Sequence, residues 1–300
     1  MNIKSVFKSI VPVAVASLFA LSLAACNNQT ATNQTTEQNN PPKVAEKILV
    51  GVPNDVTNEA RALLLLQDNG LIKLKEGVGL EATANDIADN PYNIQLVESP
   101  AEMVSRTLQD VSFAVINGNY ALSAKLDTQN VLAVESAQSD AANRYGNVIA
   151  VANGKENSPK TVALLAALES ATSKNFIDTQ YKGSVVALFD GVAQIPDAQG
   201  DDTTISIGAT PSPHAEILEA VKPELESHGW QLKIVEYQDY IQPNIAVNDG
   251  SLDANYFQHQ PYLDDYNAKN GTQLVGVKKI HFEPMAVYPG KIKSLDELKK

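Results

Sequence analysis

Two segments of the chain open with the same pattern of apolar run, polar turn and helix-spaced apolar residues. Residues 47–52 are almost wholly apolar, a polar turn follows, and a helical pattern closes at Gly70. Residues 204–209 repeat the arrangement, with a Pro-rich turn and a helical pattern that ends near Gly229. Continuous apolar strands are typical of parallel sheets covered on both faces, and strand–turn–helix units build α/β folds. We therefore predict two α/β lobes, one headed by each unit.

Shorter apolar runs predict the remaining elements of both lobes. Further strands are predicted at 94–99, 111–118, 146–153 and 232–237, and in a segment that leads on from 251–259. Residues 158–181 have the periodicity of one long helix, and residues 272–289 have the pattern of two paired strands. Residues 190–203 are rich in Gly, Pro and Asp, which predicts a linker.

Residues 1–26 have the pattern of a lipoprotein signal peptide. Lys4 and Lys8 precede an apolar run, and the small residues Ala24 and Ala25 stand directly before Cys26, the single cysteine of the chain. One cysteine cannot form an internal disulfide, so we expect a lipid at Cys26. An ordinary signal peptide with an incidental cysteine is the alternative. A retained membrane-spanning helix is a weaker one, because the apolar run is shorter than the ~20 residues that a bilayer needs.

Residues 27–46 are expected to be a disordered tether between this lipid and the folded body. The stretch 27–43 contains no large apolar side chain, so it cannot bury enough surface to offset the entropy of ordering it. Together with the lipid at Cys26, it predicts a protein of the cell envelope that is anchored to a membrane and faces the periplasm or the extracellular side. A formal net charge of −12 argues against a nucleic-acid partner, whose phosphates need a basic face.

The candidate chemistry lies where the predicted strands end, because open α/β sheets bind ligands beyond the carboxyl ends of their strands. The side chains at these ends are one cation, several amides and several aromatics: Asn58, Arg61, Asn117, Asn119, Asn147 and Tyr256 to His259. The set suits the binding of a small zwitterion. It contains no convincing pair of nucleophile and base, so we predict a binding protein and not an enzyme.

Each candidate residue type also has a structural explanation. Arg61 near a helix start suits a carboxylate ligand, and the alternative is a surface arginine paired with Glu59 or an aspartate. The aromatics of residues 254–266 suit a thioether ligand, although spacing alone favours core packing for most of them. The four histidines are scattered along the chain without the spacing of metal ligands, so we predict no metal site and no cofactor.

These residues stand in stretches that resemble the NlpA-type, methionine-binding lipoproteins of bacterial ABC importers. The matching stretches include VPNDVTNEARALLLLQDNG, DVSFAVINGNYAL, GATPSPHAEILEAVKP, DANYFQHQPYLDDYN and KSLDEL. The resemblance implies the two-lobed periplasmic-binding-protein fold, with L-methionine, D-methionine or a methionine derivative held between the lobes by hinge closure. It also implies a monomer that serves a permease–ATPase complex. The alternatives are a surface lipoprotein or adhesin on the same fold, a binder of another small amino acid or dipeptide, and a swapped dimer.

The resemblance also assigns roles to single residues. Arg61 would grip the ligand carboxylate with help from Asn58. Asn117 and Asn147 would hydrogen-bond the amino and carboxylate groups. The pocket for the ligand side chain would be lined by Tyr240, Phe257, His259 and Tyr262.

The order of the matching stretches differs from that of the family, which indicates a circular permutation. In the family, the block that opens with GATP comes first, and the PNDPTNE block follows directly on KSLDELK. The permutation predicts one contiguous lobe over 47–143 and another over 144–300, with 190–203 as a new linker. It also predicts a single covalent crossing near 143–148, a looser hinge, and a distance from Lys300 to Lys47 within about 15 Å.

Overall fold

The folded part of the chain is described by a computed structural model over residues 47–136 and 140–299. The predicted signal peptide with Cys26, the tether over 27–46 and Lys300 lie outside the described residues. All the elements below belong to one compact unit, Ala45–Lys300. Within the described part, no helix is both long and apolar enough to cross a membrane.

The strands follow the apolar runs of the sequence closely. In chain order they are β1 (Ile48–Pro53), β2 (Lys73–Leu74), β3 (Ile87–Asp89), β4 (Ile94–Ser99), β5 (Phe113–Ile116), β6 (Ala133–Val134), β7 (Asn147–Ala152), β8 (Val186–Ala187), β9 (Thr204–Ala209), β10 (Gln231–Glu236), β11 (Ala254–His259), β12 (Leu274–Phe282) and β13 (Ala286–Pro289). The strands predicted at 94–99 and 204–209 have the predicted bounds.

The helices are α1 (Val56–Asp68), α2 (Ala101–Val104), α3 (Gly118–Ser123), α4 (Asp140–Tyr145), α5 (Pro159–Leu168), α6 (Ala171–Tyr181), α7 (Glu216–Ser227), α8 (Gln242–Asn248) and α9 (Gln260–Asn270). The prediction of one helix over 158–181 is wrong, because the segment forms α5 and α6. Ser170 separates them: its side chain accepts the backbone N–H of Ser173 and so caps a new helix.

The first lobe is built on a five-stranded sheet in the order β4-β1-β5-β13-β6. β1 runs parallel to β4 and β5, whereas β13 is antiparallel to β5 and β6. Helix α1 covers one face of this sheet, and its buried Leu63 and Leu66 pack with Val50 and Phe113 of the strands. The carboxyl end of β1 therefore leads straight into α1 at the edge where a ligand site is expected.

The second lobe is built on a six-stranded sheet in the order β10-β9-β11-β7-β12-β8. β9 is parallel to β10 and β11, and β7 lies antiparallel between β11 and β12. Helices α5, α6 and α7 contribute Leu164, Ile177 and Leu218 to a core that also contains the strand residues Ile149 and Ile205. The predicted two-lobed α/β fold of periplasmic binding proteins is confirmed.

The sequence-based boundary between the lobes is wrong at its C-terminal end. Residues 272–289 do form two strands, but β12 lies in the second sheet and β13 pairs with β5 in the first. Pro284 stands between them and has no N–H to continue a ladder. The segment 144–300 is therefore not one lobe. The chain crosses between the lobes twice, after β6 and after β12, which removes the basis for a looser hinge.

Both ends of the described body pack on the first lobe. Leu295 and Leu298, from the short 3₁₀ helix Leu295–Lys299, lie against the same core cluster as Ile48 of β1. A capping box opens this helix: the Glu297 carboxylate accepts the backbone N–H of Ser294 at 3.0 Å, and the Ser294 hydroxyl accepts the N–H of Asp296. This helix is thus part of the first lobe and not of the hinge.

The segment 190–203 forms no helix or strand, as predicted, but it is docked on the second lobe. Ile195 is buried in the core of that lobe. The indole N–H of Trp230 donates to the Pro196 carbonyl at 2.8 Å, and the backbone N–H of Ala198 donates to the His228 carbonyl at 2.8 Å. The linker between α6 and β9 is therefore held in a fixed path.

Candidate functional site

A cavity lies where the strand ends of the two sheets face each other. All eight binding residues predicted from the sequence line it: Asn58, Arg61, Asn117, Asn147, Tyr240, Phe257, His259 and Tyr262. They come from α1, the ends of β5 and β11, the start of β7, the turn before α8 and the first turn of α9.

Arg61 is the cation of this cavity, and its side chain is only 4% exposed. It pairs with Glu135 through two parallel bonds, from Nε at 2.8 Å and from Nη2 at 2.5 Å, and Nη2 also donates to the Glu283 carbonyl at 2.9 Å. The guanidinium carbon lies 4.4 Å from the centre of the Tyr145 ring. Arg61 is therefore not a surface arginine paired with Glu59 or an aspartate, because it is buried and its partner is Glu135, 74 residues away. These contacts fix its orientation and direct it into the cavity.

Asn58 positions its neighbours on both lobes. Its Nδ2 donates to the Asp55 carboxylate, while its Oδ1 accepts from Asn117 Nδ2 at 2.8 Å and from His259 Nε2 at 3.2 Å. His259 Nδ1 in turn accepts the backbone N–H of Tyr262, so Nε2 carries the proton. Burial, reinforced by Arg61, lowers the pKa of His259 well below its ordinary value, which keeps this imidazole neutral.

Two amide atoms in the cavity wall are buried without a hydrogen-bond partner among the described residues. They are Asn117 Oδ1, an acceptor, and Asn119 Nδ2, a donor. An unsatisfied buried polar atom costs about 1–3 kcal/mol. A ligand that offers both a donor and an acceptor would satisfy the two atoms together, as the ammonium and carboxylate of an amino acid would.

The apolar part of the cavity is an aromatic wall from the second lobe. The ring centres of Tyr240 and Phe257 are 5.5 Å apart, and those of Tyr240 and Tyr262 are 5.6 Å apart. Tyr240 also reaches across to the first lobe, where its hydroxyl donates to Asn119 Oδ1 at 2.7 Å. The wall suits a flexible apolar or thioether side chain, and the bond to Asn119 joins the two lobes beside it.

Four further residues line the cavity: Gly118, Asn119, Gln258 and Glu283. Asn119 and Gln258 are among the strand-end candidates of the sequence, although no binding role is assigned to them there, whereas Gly118 and Glu283 are not among those candidates. Glu283 could not be found in this way, because it lies on the crossing between β12 and β13, which the sequence places inside one lobe. Its carboxylate Oε1 accepts from His281 Nε2 at 2.6 Å and lies 3.3 Å from His214 Nε2.

His214, His281 and Glu283 are the residues in the described part of the chain whose donor atoms could jointly hold a metal ion. These atoms lie within 4.8 Å of one another. Sequence spacing gives no sign of this grouping, because 67 residues separate the two histidines. His281 Nε2 is hydrogen-bonded to Glu283 Oε1, and His214 Nε2 is hydrogen-bonded to Asn147 Oδ1. Burial and the neighbouring His281 lower the pKa of His214 well below its ordinary value, so this ring stays neutral.

Comparison with known proteins places these residues in a family. The profile of the NlpA lipoprotein family matches residues 39–189 and 205–300. Membrane lipoprotein TpN32 of Treponema pallidum is 39% identical over 140 residues, which cover 46% of this chain and 51% of TpN32. The methionine-binding lipoprotein MetQ of Bacillus subtilis is 37% identical over 123 residues, which cover 39% of this chain and 45% of MetQ.

Among solved structures, a nutrient-binding protein from Burkholderia cenocepacia bound to methionine is 39% identical, with a TM-score of 0.39 over 45% of this chain and 56% of that one. The chain spans about half the length of the curated relatives that it matches. The two stretches matched by the family profile include every residue of the cavity wall. The chain belongs to the NlpA lipoprotein family.

Proposed function

We propose that this protein is the lipid-anchored substrate-binding protein of an ABC importer and that it binds methionine in the cavity between its lobes. The observation that carries the proposal is the pair of unsatisfied amide atoms, Asn117 Oδ1 and Asn119 Nδ2, beside a buried arginine and an aromatic wall. Its relatives include the methionine-binding lipoprotein of B. subtilis. The anchor would be a lipid on Cys26.

In this proposal the ligand carboxylate is bound by Arg61. Glu135 and the Glu283 carbonyl occupy Nε and Nη2 of the guanidinium, so Nη1 is the nitrogen that would meet the carboxylate. Asn119 Nδ2 would supply a second donor to it. Asn117 Oδ1 would accept from the ammonium group. The methionine thioether would lie against the rings of Tyr240 and Phe257 and that of Tyr262.

Hinge closure would then be coupled to binding through bonds that already join the lobes. Tyr240 donates to Asn119, His259 donates to Asn58, and the hydroxyl of Tyr120 donates to the Gln238 carbonyl at 3.1 Å. A ligand held by residues of both lobes stabilises the closed arrangement by its greater affinity for it. Only two chain crossings have to bend.

Calorimetry tests the ligand. The purified protein, unfolded and refolded to remove any retained ligand, is titrated with L-methionine, D-methionine, methionine dipeptides and a panel of other amino acids. We expect a Kd below ~1 μM for a methionine-class ligand, which corresponds to more than about 8 kcal/mol. Absence of heat with every ligand, in protein with native circular dichroism, would reject the transport function. A preference for a dipeptide or another amino acid would change the substrate only.

We further propose that the segments stand in a circularly permuted order. The family profile matches on either side of residues 190–204, and each curated relative aligns with about half of this chain. Leu295, Leu298 and Ile48 pack on one cluster, so the two ends meet on the first lobe. A chain rebuilt with 205–299 first and 47–189 second should fold and bind methionine equally well. A rebuilt chain that aggregates or loses binding would count against the permutation.

A further inference from the structure

Glu283 is a carboxylate on the cavity wall that the ligand contacts proposed above do not use. Its side chain is 5% exposed, and it stands on the crossing between the lobes. Gly118 makes room for it, because a Cβ at position 118 would lie 2.7 Å from the Glu283 Cβ and 3.0 Å from its Oε2. The carboxylate therefore packs directly against the residue that follows Asn117.

Two histidines hold one oxygen of this carboxylate. His281 Nε2 donates to Oε1 at 2.6 Å, and His214 Nε2 lies 3.3 Å from Oε1 and 3.1 Å from Asn147 Oδ1. The hydroxyl of Thr210 meets His214 Nδ1, and the hydroxyl of Tyr256 meets His281 Nδ1. Because a hydroxyl can donate to each Nδ1, each Nε2 can carry a proton and donate it to the acceptor that it faces. Oε1 is thus committed to the histidines, and Oε2 is the oxygen left for a ligand.

Charge balance gives this oxygen a role. Arg61 and Glu135 form a buried pair and cancel one another. Glu283 is a further carboxylate with a side chain only 5% exposed, and its ion-pair partners among the described residues are the two histidines and no lysine or arginine. A buried carboxylate without a compensating cation is strongly unfavourable. The balancing cation would have to come from the ligand, and Asn117 Oδ1, the unsatisfied acceptor, belongs to the residue next to Gly118.

We propose that Glu283 is the charged receptor for the ligand's ammonium group and that His281 and His214 are its positioning residues. The proposal rests on the proposed function and makes it more specific. The site would accept amino acids, or peptides with a free α-amino group, and would reject N-acylated or deaminated analogues. Arg61 would then bind the carboxylate of the zwitterion, and Glu283 would bind its ammonium group.

The experiment compares methionine with 4-(methylsulfanyl)butanoate, which lacks only the amino group, and with N-acetylmethionine. In the unmodified protein we expect methionine to bind at least ~100-fold more tightly than either analogue. An analogue without a free amino group would leave buried polar groups of the site unpaired, which weakens its binding. In Glu283→Gln we expect methionine to lose ~10–100-fold, while the deaminated acid changes less than ~3-fold. His281→Gln should reduce the same preference partially, by releasing Oε1.

Several outcomes would overturn the inference. If the unmodified protein binds the deaminated acid as well as methionine, no ammonium receptor exists, and this result needs no variant to fold. An equal loss for both ligands in folded Glu283→Gln would indicate a structural role only. Binding of Zn²⁺ alone to the unmodified protein but not to Glu283→Gln, with the ligand preference unchanged, would assign the cluster to a metal. If the unmodified protein binds none of these ligands, the proposed function itself fails.

Discussion

Replacing Arg61 by methionine should destabilise the protein as well as abolish ligand binding. The substitution removes the guanidinium but leaves Glu135 in place, with a side chain only 8% exposed. One donor remains to this carboxylate, the backbone N–H of Met285 at 2.8 Å. Removing one partner of a buried ion pair costs about 3–5 kcal/mol, because an uncompensated charge stays behind. The remaining N–H bond places the expected loss near the lower limit, at about 3 kcal/mol.

The double variant Arg61→Met/Glu135→Met separates structure from binding. Replacing both partners of a buried pair by apolar residues is often neutral, so this chain should recover most of the lost stability and still bind no methionine. The assay is thermal and urea unfolding followed by circular dichroism. For a body of this size, a loss of about 3 kcal/mol corresponds to a melting temperature lower by about 6–12 °C.

Lys174→Met is the matched control, because Lys174 pairs with Asp178 at 2.7 Å on an exposed helix surface. Its effect should stay within about 0.5 kcal/mol. Two results would refute the reasoning. One is a loss below about 1 kcal/mol in Arg61→Met, and the other is a double variant no more stable than the single one.

Three further predictions concern other parts of the body. Burial lowers the pKa of His214 and His259, so the unfolded chain binds more protons than the folded chain below pH ~6.5. The free energy of unfolding should therefore decrease as the pH falls below ~6.5, by up to about 1.4 kcal/mol per pH unit for each histidine. His214→Gln should reduce this pH dependence in urea titrations at several pH values. Tyr240→Phe removes the bond to Asn119 and should weaken methionine binding by about 3–10-fold in calorimetry, with Tyr266→Phe as a control outside the cavity wall. Ile195→Ala should lower the unfolding free energy by about 2–3 kcal/mol without changing ligand affinity, because it leaves a cavity where the 190–203 segment packs into the core of the second lobe. A loss below about 0.5 kcal/mol would mean that this packing does not hold the segment in place.

The sequence predicts the site better than it predicts the chain path. Strands β1 and β9 are continuous apolar runs bounded by turns, and local pattern is sufficient to place them. The rule that ligands lie beyond strand ends then selects Arg61 and Asn117 without any distance information. Glu135, the partner of Arg61, cannot be identified by this rule, because it lies 74 residues from Arg61 and follows a strand of only two residues.

Long-range pairing accounts for the other errors. The pattern of residues 272–289 correctly indicates two strands, but neighbours in sequence usually pair, and here β12 and β13 belong to different sheets. The periodicity of two strands is the same whether they pair with each other or lie in different sheets. Only the pairing of β13 with β5 shows that they lie in different sheets. The same error conceals Glu283, since a residue between two paired strands would lie in a turn at the edge of one lobe instead of in a cavity between two.

The positions of the crossings change what the proposed permutation means physically. Leu295, Leu298 and Ile48 share one core cluster, so both ends of the described body lie within the first lobe. The 190–203 segment docks through Ile195 and Trp230 within the second. The chain ends and the 190–203 segment therefore both lie away from the two crossings at which the lobes would move. The permuted order should therefore alter the stability of each lobe while leaving the hinge and the cavity unchanged. Such a permutation would let the chain visit the two lobes in a different order while all eight predicted binding residues still line one cavity.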